Sequence, residues 1–157
     1  MATERDWEAY RTAVVDLTPP DRPAVRIVPA APGAVGTWPG GLAAPLVVVT
    51  AWNPDSMRVA DDINAARHRL LALELATSGR TWWPATGRDL ADGHFEEGAA
   101  VPCLDEDEAC ALGSRHGQAA VYVWTPGAWE VLACDRSRRV TLGWRLTDAP
   151  VAPGATA

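Results

Sequence analysis

Apolar and polar positions along this chain alternate with two different periods, and the switches between them divide it into elements. Thr3 and Asp6 stand three apart, as a capping box does, ahead of Trp7, Tyr10 and Val14 at helical spacing, so a short amphipathic helix is expected at the start. Pro19, Pro20 and Pro23 end it, and Val25 and Ile27 flank Arg26 as in a short strand. The Pro/Gly-rich stretch 29–45 reads as a surface insert. Leu46, Val47, Val48 and Val49 form an uninterrupted run too short for a helix, which predicts an interior strand, running on to Trp52 and buried on both faces.

A long helix from about Ser56 to Ser78 is expected next, capped by Asp55 or Ser56. Its apolar stripe would be Val59, Ile63, Ala66, Leu70 and Leu73, with Gly79 as its stop. Thr81–Thr86 and Gly98–Val101 read as strands, with 87–94 as a loop between them. Asp105–Glu108 place four carboxylates in the first turn of a further helix, where the macrodipole favours them, and Gly117 closes it. Ala119–Trp124 and Trp129–Cys134 form a hairpin through Pro126-Gly127, a type II turn pair, and Val140 to Leu146 alternate as a last strand. The chain thus reads as one domain, 1–148, with a flexible tail at 149–157. Its expected class is two-layer α+β, a mixed or largely antiparallel sheet packed by one long and one or two shorter helices.

Composition narrows the chemistry. With 157 residues, 48% of them hydrophobic, the chain has material for a single core without metals or disulfide staples. A net charge of −6 gives no electrostatic footprint for nucleic acid or an anionic membrane. All 14 basic residues are Arg, which excludes a Schiff-base or phosphate-loop lysine. No apolar run is long enough to span a membrane and the start lacks a secretory pattern, so a cytoplasmic location is expected. Cys103, Cys110 and Cys134 form no Cys-x-x-Cys pair and read as reduced structural thiols, and no metal or cofactor is expected. Eight tryptophans against one Phe must supply most of the aromatic core, with Trp52 or Trp83 as a candidate pocket wall.

The informative stretch is Thr50-Ala51-Trp52-Asn53-Pro54-Asp55-Ser56, a buried strand running into a proline-fixed turn and then a helix. Polar side chains there lie at the C-terminal edge of a strand, where open sheets bind ligands. The proline holds Asn53 extended, so its amide points into a cleft or else caps the turn by an Asx-type bond. Antiparallel pairing of this strand with the one opened by Gln118 would bring Asn53 and Gln118 to one edge, with Asn64 and Arg67 two turns along the following helix.

This stretch, together with Asn64 and Leu70, Glu96-Glu97-Gly98 and Gly117-Gln118-Ala119-Ala120-Val121, resembles the bacterial family called domain of unknown function 3293, over about Leu46 to Cys134. The resemblance implies no activity; it singles out Asn53, Asn64, Glu97 and Gln118 as site positions, with Glu96 as the alternative to Glu97. The sequence departs from the family pattern at Ala99 and Ala100 and in the length of the insert before Leu46. Two functions stay open. One is a module binding a small polar ligand or a partner through Asn53, Asn64, Glu97, Gln118 and Arg67. The other is a hydrolase or transferase in which Glu97 is the general base and Arg67 or Arg88 holds an anion. Neither reading involves nucleic acid or a membrane.

Overall fold

The computed structural model describes residues 1–150. Its elements are α1 (Glu4–Thr12), β1 (Val14–Leu17), β2 (Val25–Ala30), β3 (Leu46–Thr50), α2 (Asp61–Thr77), β4 (Trp83–Arg88), β5 (Phe95–Pro102), α3 (Glu106–Arg115), β6 (Ala120–Thr125), β7 (Ala128–Ala133) and β8 (Arg139–Asp148). The tail expected at 149–157 lies, beyond Pro150, outside the described residues.

The expected two-layer α+β sheet is overturned. All pairings are antiparallel, and the strands close into a barrel in the order β1-β2-β8-β7-β6-β3-β5-β4, with β4 returning to β1. Closure depends on Val14–Leu17, which pairs with Val25–Ile27 on one side and Ala85–Arg88 on the other. The local pattern had assigned Val14 to the first helix, but that helix ends at Thr12 and Ala13 is already extended.

Inward positions follow the period of two. Val15 and Leu17, Leu46 and Val48, Ala85, Ala100, Trp124, Trp129 and Trp144 share one interior cluster. On the alternate face Val47, Val49, Ala99, Val101, Val121 and Val123 pack outward against Leu71 and Leu75 of α2 and Leu112 of α3. These helices lie outside the barrel, so β3, between β5 and β6, is buried on both faces as its apolar run implies.

The expected stripe of α2 is wrong. Ile63, Leu70 and Leu73 are 50%, 61% and 62% exposed, while Asn64, Leu71 and Leu75 face the barrel. Apolar residues surround this helix, so periodicity does not select a face; anchoring by Asn64 and Arg67 does. The helix also starts at Asp61 without a side-chain cap, because Asn53, Asp55 and Ser56 all take positive φ and hold the preceding chain as a short 3-10 turn.

The hairpin β6–β7 forms in the expected place. Gly127 is not among the residues of positive φ, so its turn is not type II; the Thr125 hydroxyl closes it by accepting from Ala128 N–H at 3.1 Å. Gly79 and Gly117, at φ +72° and +73°, end α2 and α3 as glycines past a helix do. Most of the 29–45 stretch is exposed, but Pro29 and Ala30 belong to β2, and Trp38 and Leu42 tuck against the interior cluster. Trp38 Nε1 donates to the Leu42 carbonyl at 2.9 Å.

The two ends of the barrel are filled differently. At one end Trp38, Trp124 and Trp144 meet at ring separations of 4.3 to 6.0 Å, and Trp129 stacks on Tyr122 at 4.7 Å. Toward the other end the inward residues shrink to Ala85, Gly87, Gly98 and Ala120. There α1 lies across the mouth, with Trp7 packed on Val131 and Ala133 and pinned by Arg138, whose guanidinium sits 4.6 Å from the ring. Among the described residues no helix is long and apolar enough to cross a membrane.

Candidate functional site

Small inward side chains and the span of α1 leave a cavity of about 660 Å³ at the open end. Val15, Val48, Val131 and Tyr122 give it an apolar floor; α1 contributes Arg5 and Tyr10; the loops after β3 and β4 contribute Asn53, Ser56, Asp92 and His94. A second hollow of about 310 Å³ adjoins it, sharing Asn53, Arg58, Asp92 and His94 and walled by Trp52 and Phe95.

Asn53 organises this corner. Its φ of +47° and ψ of +59° are left-handed, not the extended conformation expected before proline. Asn tolerates that region better than most residues, and here the conformation is held by hydrogen bonds. Asn53 N–H donates to Asn64 Oδ1 at 2.8 Å, and its own Oδ1 accepts from Asn64 Nδ2 and Val59 N–H at 3.1 and 3.2 Å. Its Nδ2 donates to Glu96 Oε1 at 2.7 Å. His94 Nε2 lies 3.2 Å from the same oxygen.

Arg67 and Gln118 fix the neighbouring chain. Arg67 donates to the carbonyls of Ala51 and His116, both at 2.8 Å, and Gln118 Nε2 donates to that of Trp52 at 2.9 Å. Gly117 lets this junction close: a Cβ there would stand 2.8 Å from Pro54 Cβ. The structure therefore gathers Asn53, Asn64, Arg67 and Gln118 around one loop. Asn53 and Gln118 also line the main cavity, Asn64 lines the adjoining hollow, and Arg67 lines neither.

Glu97 is not with them. On β5, Glu96, Gly98 and Ala100 point inward while Phe95, Glu97 and Ala99 point outward, so Glu97 is exposed on the outer face and Glu96 carries the cavity carboxylate. Arg88 is paired with Asp16 at 2.8 Å. The resemblance leaves Glu96 open beside Glu97; sequence reasoning passes over His94, Tyr10 and Ser56 as site residues. Extending the alternation of Gly98–Val101 back by two residues would have put Glu96 on the inner face.

Burial raises the Tyr10 phenol above its ordinary pKa, against the opposing hydrogen bond from Ser56, and burial raises Tyr122 much further. Both remain neutral; Tyr122 donates to the Tyr10 carbonyl at 3.1 Å and so ties α1 to the barrel wall. All three cysteines are free, and burial pushes the Cys134 thiol up to about 12, which leaves it unreactive.

Residues 49–121 match the family described as Protein of unknown function (DUF3293). No curated protein and no solved structure matches the chain. The DUF3293 segment runs from the end of β3 to the start of β6 and includes Asn53, Asn64, Arg67, His94, Glu96 and Gln118. The tryptophan-filled strands β7 and β8, and the cap α1, lie outside it.

Proposed function

We propose that this protein is a binding module that takes a small polar molecule into the open end of its barrel. The observation that carries this reading is the cavity of about 660 Å³ with one inward carboxylate, Glu96, fixed by Asn53 and His94. Eight-stranded barrels have interiors that side chains can just fill, or that hold one small ligand, and small inward residues at this mouth favour the second outcome. Asn53, Asn64, Gln118 and Arg67 then shape the site by fixing its loop, and Glu96 takes the contact role first assigned to Glu97.

A cytoplasmic protein without nucleic-acid partners fits this reading. Arg136 and Arg139, the densest basic stretch, are engaged by Glu106 at 2.7 Å each, so that surface has little charge left for phosphates. An enzymatic role at the same place is favoured by one observation, the 3.2 Å approach of His94 Nε2 to Glu96, which is the geometry of an acid–base pair.

Gly87 supplies the test. It lines the cavity, and a Cβ built there meets nothing within 4 Å, so Gly87→Leu fills the mouth without displacing core. In a thermal-shift screen of small polar metabolites the parent protein should be stabilised by at least one compound, and Gly87→Leu should lose that response at an unchanged melting temperature. A response that survives Gly87→Leu would move the binding site elsewhere.

A further inference from the structure

The charges around the cavity are unequally paired. Arg58 pairs with Asp92 at 3.4 Å and Arg88 with Asp16 at 2.8 Å, and the Asp6 carboxylate accepts from the Thr3 N–H and hydroxyl. Asp89, like Asp6, has no guanidinium partner among the described residues but accepts a backbone N–H, from Ala91 at 2.8 Å. Glu96 differs in standing at an inward strand position and in taking side-chain contacts alone, Asn53 Nδ2 and His94 Nε2, both on Oε1; among the described residues Oε2 takes no hydrogen bond and no guanidinium lies within ion-pair distance. The His94 ring meets the oxygen that Asn53 already holds and leaves Oε2 free. Arg5, the cavity guanidinium without a carboxylate partner among the described residues, sits exposed on α1 at the rim.

The wall beyond Glu96 is apolar and aromatic: Val15, Val48, Ala85, Val131 and Tyr122. A carboxylate facing such a wall gains most from a ligand that brings its own positive charge, because attraction strengthens as water is displaced. An anion in the same place would meet Glu96 within the barrel and leave Arg5 in water. From this arrangement we infer that the ligand is a small organic cation, a primary ammonium or amidinium on an apolar or aromatic body. The charged end pairs with Glu96 Oε2 and the body lies on the valines and Tyr122. This rests on the cavity being a binding site, and it adds the charge that the site selects.

Three probes of one size separate the possibilities: benzylamine, benzyl alcohol and benzoate, titrated calorimetrically at about pH 8, where the amine is protonated. Benzylamine should bind at least about tenfold more tightly than benzyl alcohol, the equivalent of about 1.4 kcal/mol, and benzoate most weakly. Glu96→Gln should reduce benzylamine to the level of benzyl alcohol, while the outward Glu97→Gln leaves it unchanged. Equal affinities for the three probes overturn the inference but leave the cavity a binding site, provided that Gly87→Leu abolishes them. Tight benzylamine binding that persists in Glu96→Gln also overturns it. Binding by none of the three, or binding indifferent to Gly87→Leu, overturns both readings. If Glu96→Gln fails to fold, the ranking of the probes on the parent protein decides alone.

Discussion

The two ends of this barrel are built from the same strands with the same inward period, yet one is solid and the other hollow. Leu46, Trp124 and Trp129 lie in register across β3, β6 and β7 and fill the closed end with bulk; four residues along, Ala120 and, opposite Thr50, Gly98 leave the mouth open, as does Gly87 further round on β4. Backbone topology sets how wide an eight-stranded interior is, and side-chain volume decides whether it becomes core or site. Stability should therefore concentrate at the tryptophan end and ligand selection at the glycine end.

The largest effect is expected from Trp124→Ala, which removes a fully buried indole and should cost about 3–5 kcal/mol in a denaturant titration. Trp124→Phe should cost far less, because Trp124 Nε1 is buried without an acceptor among the described residues and phenylalanine removes that donor. If Gly87→Leu were as damaging as Trp124→Ala, the contrast between the ends would fail. On the helix-covered wall, Leu71→Ala should cost about 2–5 kcal/mol while Leu70→Ala stays within about 0.5 kcal/mol. Equal losses would restore the stripe that periodicity alone suggests.

Asn53→Ala sharpens the comparison at the mouth. It deletes the side-chain bonds to Asn64, Val59 and Glu96 and leaves a left-handed backbone without the residue that tolerates it, so a loss of about 1–3 kcal/mol is expected. An unchanged melting temperature would make Asn53 a contact residue rather than the loop's anchor.

The smallest effect is acid-dependent. Burial pushes the Asp16 carboxyl up, but hydrogen bonds and charge from Arg26 and Arg88 outweigh it and hold the pKa below the usual carboxylate value. A depressed folded-state pKa contributes stability that is complete above the unfolded value of about 3.9 and is lost as pH falls through the folded one. Asp16→Asn should thus lower stability at neutral pH and flatten the acid limb of the stability profile. An unaltered limb would show that the strap across β2, β1 and β4 is energetically idle.

Much of this was legible locally and little of it globally. The capping box at Thr3, the doubly buried run at Leu46 and the β6–β7 hairpin all follow from short-range patterns. Closure does not. It depends on β1 meeting β4, with Val14 opposite Arg88, and no periodicity encodes a contact across that separation. Asn53, Asn64 and Gln118 were singled out through the family resemblance and Arg67 through its spacing from Asn64; no local pattern fixed their directions, and Asn53 is left-handed where proline led to an extended expectation. The choice between Glu96 and Glu97 fell on the outward residue because a strand read as starting at Gly98 carries no parity back to residue 96.

The brevity of β1 has a further consequence for self-association. An open antiparallel sheet presents two rows of unpaired backbone groups that template pairing with another chain, and aggregation begins at such edges. Without β1 those rows would belong to β2 and β4; β1 covers three register positions on the first and four on the second. Only Ala13 separates it from α1. The seal against edge-to-edge polymerisation and the cap over the cavity are thus one short segment of chain, and loosening either end of it exposes the sheet to its own copies.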